Sequence, residues 1–128
     1  MRLLLDTHLL LWWLSDDAAL PSRAGQLIED RRNEVFVSPM SVWEIAIKHG
    51  KGQMPLPEPP ERLIPTERRL RRIAALPLDD EAPFQLSRLP NLHRDPFDRM
   101  LICQAIVHGL AIVTPDPLIS QYPVRVIW

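Results

Sequence analysis

Four acidic residues stand where apolar runs hand over to helix-like stretches: Asp6, Glu44, Asp98 and Asp116. In a parallel α/β chain such handovers collect at one edge of the sheet. Carboxylates gathered there repel one another, and a bound cation removes that penalty. Hard oxygen ligands select Mg²⁺ or Mn²⁺ over zinc, and no cluster of cysteines and histidines competes in this sequence. The chemistry that suits such a site is metal-assisted phosphodiester hydrolysis.

The elements that must position these acids are legible along the chain. Residues 3–5 are a short apolar run closed by Asp6 and read as a buried strand, followed by a helix over 7–14. Ser22 is the expected N-cap of a helix to about residue 32, and residues 34–37 read as a second strand. Ser38-Pro39 is a strong helix start, a capping hydroxyl followed by proline at the first helical position, and Gly50 is the expected stop. Residues 53–60 hold four prolines and read as an extended loop inside one domain. Beyond it the pattern predicts a helix over 61–75, a short strand at 76–78 and a helix over 79–88. A helix then opens at Asp95-Pro96 and ends at Gly109, with strands at 110–113 and 124–127. This alternation predicts an α/β fold: a central parallel sheet of four to five strands flanked by helices, one domain over residues 1–128.

Composition allows this chemistry without arguing for it. Hydrophobic residues make up 46% of the 128, enough for a real core. The net charge of -1 gives no global positive field, so contact with nucleic acid needs a local basic patch or bridging cations. The single cysteine, Cys103, rules out an intramolecular disulfide and reads as a small buried hydrophobe. The start meets Asp6 too soon for a signal peptide, and the apolar stretch 9–14 is too short to span a membrane. The expectation is a cytoplasmic protein with no membrane partner.

Each acid also has a purely structural role to weigh. Asp95 precedes Pro96 and suits a helix cap, with Asp98 three residues on in a capping-box-like arrangement. Asp116 lies between two prolines and reads equally as a turn residue. Glu44 is harder to dismiss, because it sits among Val42, Trp43, Ile45 and Ala46, where an unpaired carboxylate is costly. Trp43 itself reads as core. Trp12 and Trp13 are adjacent and cannot both point inward easily, which reserves one for a partner interface. Arg68, Arg69, Arg71 and Arg72 read first as a solvated helix face. His8 and His93 read first as structural hydrogen-bonding groups.

The chain resembles a PIN domain, and within that fold the VapC-type toxins of bacterial toxin–antitoxin pairs. The resemblance is carried by Leu5-Asp6-Thr7-His8, by Ser38-Pro39-Met40-Ser41-Val42-Trp43-Glu44-Ile45, by the run from His93 to Leu101 that includes Asp95-Pro96-Phe97-Asp98-Arg99, and by Val113-Thr114-Pro115-Asp116. It implies a Mg²⁺- or Mn²⁺-dependent endoribonuclease whose metal is held by Asp6, Glu44, Asp98 and Asp116. Asp95 is a fifth acid and a rival to Asp98 for the late position. Arg94, Arg99 and Thr114 become candidates for substrate contact. Pro117 departs from the family pattern and leaves the aim of Asp116 open. The implied partners are RNA, a cognate antitoxin and a second copy of the chain.

The alternative is a catalytically silent PIN-fold module that binds RNA or protein. The complete quartet argues against it. A haloacid-dehalogenase-like phosphatase needs a second aspartate where this chain has His8, and a receiver needs a late lysine where only Lys48 and Lys51 occur, both mid-chain.

Overall fold

Leu3, Leu4 and Leu5 are wholly buried. Successive side chains of a strand point to opposite faces, so three buried in a row demand a sheet covered on both sides. The computed structural model, which describes residues 1–15 and 17–128, has that sheet. Its strands are β1 (Arg2–Leu5), β2 (Glu34–Val37), β3 (Ile73–Ala75), β4 (Ala111–Val113) and β5 (Val126–Ile127). All pair in parallel, in the order β3-β2-β1-β4-β5. The described helices are α1 (Thr7–Leu14), α2 (Ser22–Glu29), α3 (Pro39–Gly50), α4 (Pro60–Arg71), α5 (Glu81–Gln85) and α6 (Pro96–His108).

Two apolar clusters lie on the two faces of the sheet. Leu3 and Leu5 pack with Leu9 and Trp13 of α1, Ile28 of α2, Ile45 of α3, and Leu63 and Ile64 of α4. Leu4 faces the other way, onto Leu101, Ile102 and Ala105 of α6 and Ala82 of α5. Each such leucine or isoleucine stabilises the fold by about 1.5–3 kcal/mol. This burial is what holds repelling acids together at the sheet edge. None of the described helices is long and apolar enough to cross a membrane.

The strand order places the functional edge. From the central β1 the chain moves outward through β2 to β3, then returns to the other side of β1 for β4 and β5. The order therefore reverses between β1 and β4, and ligands of open α/β sheets bind beyond the carboxyl ends at such a reversal. Leu5 pairs with Val113 there, and the Asp6 N–H donates to the Val113 carbonyl at 3.3 Å.

Several local expectations need correction. The helix expected over 61–75 ends at Arg71, and Arg72 takes a left-handed conformation with φ 57°. Residues Ile73–Ala75 then pair with β2, so the strand comes before the 76–78 expected for it. Leu76 still donates to the Val37 carbonyl, at 2.9 Å, but Pro77 has no N–H to extend the ladder. The helix expected over 79–88 is a short α5 followed by a 3₁₀ turn at Leu86–Arg88. Pro21, not Ser22, caps α2, and that helix stops at Glu29. Trp43, expected in the core, is 57% exposed. Its neighbour Ile45 occupies the buried face of α3 instead. Of the adjacent tryptophans, Trp13 is buried and Trp12 half-buried, with its ring 6.5 Å from that of Trp128.

Candidate active site

Three helix starts meet at the carboxyl edge of the sheet. Asp6 caps α1, accepting from the Leu9 N–H at 2.7 Å. Ser38 caps α3, accepting from the Met40 N–H at 3.0 Å, and its hydroxyl donates to the Gln104 side chain of α6. Asp95 caps α6, accepting from the N–H groups of Phe97 and Asp98 at 2.9 and 3.2 Å. The capping role expected for Asp95 is therefore real. α3 packs against both α1 and α6, and the Thr7 hydroxyl donates to the Ser41 hydroxyl at 3.0 Å to link the first two.

One set of acids belongs to the strand ends. Asp6 is 2% exposed. Besides the Leu9 N–H, its carboxylate accepts from the Thr114 hydroxyl. Burial pushes its pKa up, and the nearby charge of Asp116 adds to the rise, while the bonds from Thr114 and Leu9 oppose it. Thr114 joins the pair, because its oxygen also accepts from the Asp116 N–H at 3.1 Å. Asp116 is half-buried, and its Oδ1 accepts from the Leu118 N–H at 2.9 Å. Backbone contacts on both sides thus set the aim of Asp116 despite Pro117. Thr114, a candidate for substrate contact, has its one hydroxyl proton committed to Asp6.

The other set belongs to the helices. Glu44 is 5% exposed on α3. Its Oε2 accepts from Lys48 Nζ at 2.6 Å, one turn along the same helix, and its Oε1 is buried with no hydrogen-bond partner. Asp98, in the first turn of α6, has its pKa pushed up to about 6 by burial first, then by the charges of Asp95 and Glu44. His93 opposes that rise by holding Asp98 Oδ2 at 3.2 Å through Nε2. A carboxylate only accepts, so Nε2 carries the proton and Nδ1 faces the Tyr122 hydroxyl at 2.7 Å. Tyr122 Oη also accepts from the His93 N–H at 3.1 Å and from Arg99 Nη1 at 3.0 Å.

Arg99, a candidate for substrate contact, has its guanidinium turned onto the loop. Besides Tyr122, it donates to the Pro90 carbonyl at 2.9 Å and to Asn91 Oδ1 at 3.1 Å. Arg94 differs: it is exposed and makes no ion pair among the described residues. It lines a cavity of about 610 Å³ with Asn91, Leu92, His93 and Arg99. Lys48 and Tyr122 were missed in the sequence. The i, i+4 spacing of Glu44 and Lys48 on a helix was a signal for the first; no local signal points to the second.

The residues present fit a hard divalent cation. Glu44 Oε1 is an orphaned buried acceptor, which is costly unless a positive group meets it. Asp6 and Asp98 are pushed up in pKa first by burial and then by neighbouring acids, Asp116 for the one and Asp95 and Glu44 for the other, a cost that a cation removes. As the side chains are placed, the acids form two subsets. Among the described residues no three acid, cysteine or histidine side chains form a ready cage.

The geometry defines an α/β domain with acids gathered at its topological switch point. The chain belongs to the PIN-domain family, whose model matches residues 3–124. A curated relative, Ribonuclease VapC16 of Mycobacterium tuberculosis (strain ATCC 25618 / H37Rv), is 40% identical over 65 residues. That stretch is 51% of this chain and 43% of the relative, so the match reaches under half of that protein's length. Among solved structures, VapBC2 from Rickettsia felis bound to a promoter DNA fragment matches with TM-score 0.73 at 15% identity. DNA-bound VapBC from Salmonella typhimurium matches with TM-score 0.68 at 18% identity. VapBC-1 from nontypeable Haemophilus influenzae gives 0.64, also at 18%. Each alignment covers 99% of this chain and 97–98% of the other, so the likeness is one of whole fold.

Proposed function

We propose that this PIN domain is a divalent-metal-dependent endoribonuclease and the toxin of a toxin–antitoxin pair. The observation that carries the proposal is the buried Glu44 with one carboxylate oxygen unpaired, its charge acting on Asp98 at the switch point. The family and the ribonuclease relative support the same chemistry. On this reading Asp6, Glu44, Asp98 and Asp116 hold Mg²⁺ or Mn²⁺, and Asp95 offers its remaining oxygen at the edge. When bound, the cation neutralises the scissile phosphate and activates the attacking water.

The chain's own residues do the positioning. The Thr114 hydroxyl fixes both strand-end acids, donating to the Asp6 carboxylate and accepting from the Asp116 N–H. Lys48 fixes one oxygen of Glu44 and leaves the other for the cation. His93, held by Tyr122, fixes one oxygen of Asp98 in the same way. Arg94 meets a phosphate along the strand, and Arg99 braces the loop that carries Arg94 and His93. RNA is the substrate, a cognate antitoxin the inhibitor, and a second copy of the chain the oligomeric partner, all in the cytoplasm.

The test is cleavage of labelled RNA with Mg²⁺ or Mn²⁺, with chelator, and in Asp6→Ala and Asp98→Ala. Cutting is expected only with metal, and each variant should fall further than the about 10–100-fold typical of losing an outer-shell partner. Metal binding measured calorimetrically should weaken in parallel. Undiminished cutting in either variant overturns the assignment. Tight metal binding with no cleavage of any RNA would favour the silent binding module.

A further inference from the structure

Trp43 is 57% exposed, yet it lies next to buried Glu44 on α3. Its ring meets Phe97 of α6 edge to face, with centroids 5.2 Å apart and planes at 75°. Phe97 in turn precedes Asp98 in the first turn of α6. The aromatic pair therefore joins the two helices one residue along the chain from each of two acids of the candidate site. An edge-to-face contact uses one ring's edge against the other's face, so at least one indole face stays open. Leaving that much apolar surface in water is unfavourable, and α3 already fills its buried face with Ile45.

We propose that Trp43, braced by Phe97, is the stacking platform for an unpaired nucleobase beside the phosphate held at the acids. This rests on the ribonuclease reading above and assigns the residue that takes the base. A base is tethered to its own phosphate, so it reaches surfaces near the phosphate site, and Trp43 and Phe97 are the chain neighbours of Glu44 and Asp98 on the two helices that the ring contact joins. Exposed Arg94, on the loop that leads into α6, supplies a cation for a neighbouring phosphate. A base within a duplex cannot lie on an indole face, so the strand must be single or looped out at the cut. Stacking accepts every base, so the platform selects strand state rather than a fixed sequence.

The test uses the full chain with Asp98→Asn, so that RNA stays intact, and follows the anisotropy of a labelled single-stranded oligoadenylate with Mg²⁺ present. Trp43→Ala should weaken binding by about tenfold or more, and Trp43→Phe should retain most of it. The same strand annealed to its complement should bind weakly to all three proteins. An oligoadenylate carrying 2-aminopurine should be quenched by protein with Trp43 and not by Trp43→Ala. Equal binding and quenching in Trp43→Ala overturn the platform while leaving the ribonuclease reading intact. No RNA binding by the Asp98→Asn protein that retains Trp43, together with no cleavage by the unaltered chain with metal, overturns both. A change of oligomeric state in Trp43→Ala, seen by light scattering with RNA binding unaltered, assigns this surface to a protein partner and overturns the proposal.

Discussion

The two halves of the acidic site hold their carboxylates by different means. At the strand ends, Asp6 is fixed by neutral donors: a backbone N–H and the Thr114 hydroxyl. On the helices, Glu44 and Asp98 are held by a lysine and a histidine, each against one oxygen. Neutral donors belonging to the fold cannot leave without unfolding something. The Lys48 ammonium and the His93 imidazole are side-chain donors, each of which can give up its carboxylate oxygen to a metal ion. The strand half is therefore a fixed reference, and on the proposed function the helix half is where binding would register.

The largest break in this comparison comes from Lys48→Met. It leaves Glu44 buried with neither oxygen paired, the situation that costs 3–5 kcal/mol for a fully buried pair. Lys48 is 39% exposed, so the expected loss of stability is about 2–3 kcal/mol. Adding Mg²⁺ or Mn²⁺ should recover much of it, because the cation takes over the role of the ammonium, and Glu44→Gln in the same chain should recover most of the rest. Thermal melts with and without metal measure both. Loss that metal does not reverse would mean that Lys48 is scaffold and the two halves do not differ.

How much of this was legible in the sequence follows the same division. The strand half was readable because its signals are local: an apolar run closed by Asp6, and Val113-Thr114-Pro115-Asp116 after the last inner strand. Ser38-Pro39 and Asp95-Pro96 announced their helices for the same reason, and both caps formed as expected. The parallel five-stranded sheet followed from the alternation of elements. What failed depended on distant partners. Residues Ile73–Ala75 continue a helix-like pattern and become a strand only because the β2 edge is free to pair with them. Trp43 carries an apolar side chain but falls on the wrong side of α3 for the core. Tyr122 lies 29 residues from His93, so nothing near either residue foretells their contact.

A second prediction separates charge from packing. Asp98 has an ordinary pKa of 3.8, raised to about 6 in the fold, and Asp6 is raised as well. Between those values the folded protein holds protons that the unfolded chain has released. Stability of the metal-free protein must then fall as pH rises from about 4 to about 6, by on the order of 2 kcal/mol from Asp98. Asp98→Asn should flatten that portion of the profile, and saturating Mg²⁺ should flatten it above pH 6, where the carboxylate is free to bind. Denaturant melts across the range, with and without metal, measure the slope. Stability that instead rises with pH in this window would mean that favourable partners outweigh burial at Asp98.

The smallest effects lie within the helix half, where two arginines five residues apart divide their work. Arg94 is exposed, while Arg99 binds Pro90, Asn91 and Tyr122. Arg94→Gln should weaken RNA binding by a similar factor for every sequence and lower the salt-dependence slope by about one ion, with no change in melting temperature. Arg99→Gln should do the reverse. Its loss frees the loop that presents His93 to Asp98, so the melt shifts by the equivalent of about 1–2 kcal/mol, and the salt slope stays put because no phosphate contact is lost. Binding titrations at several salt concentrations, paired with melts, resolve the two. If Arg99→Gln also flattens the salt slope, its guanidinium must leave the loop for the RNA. The helix half would then rearrange on binding while the strand half stays fixed.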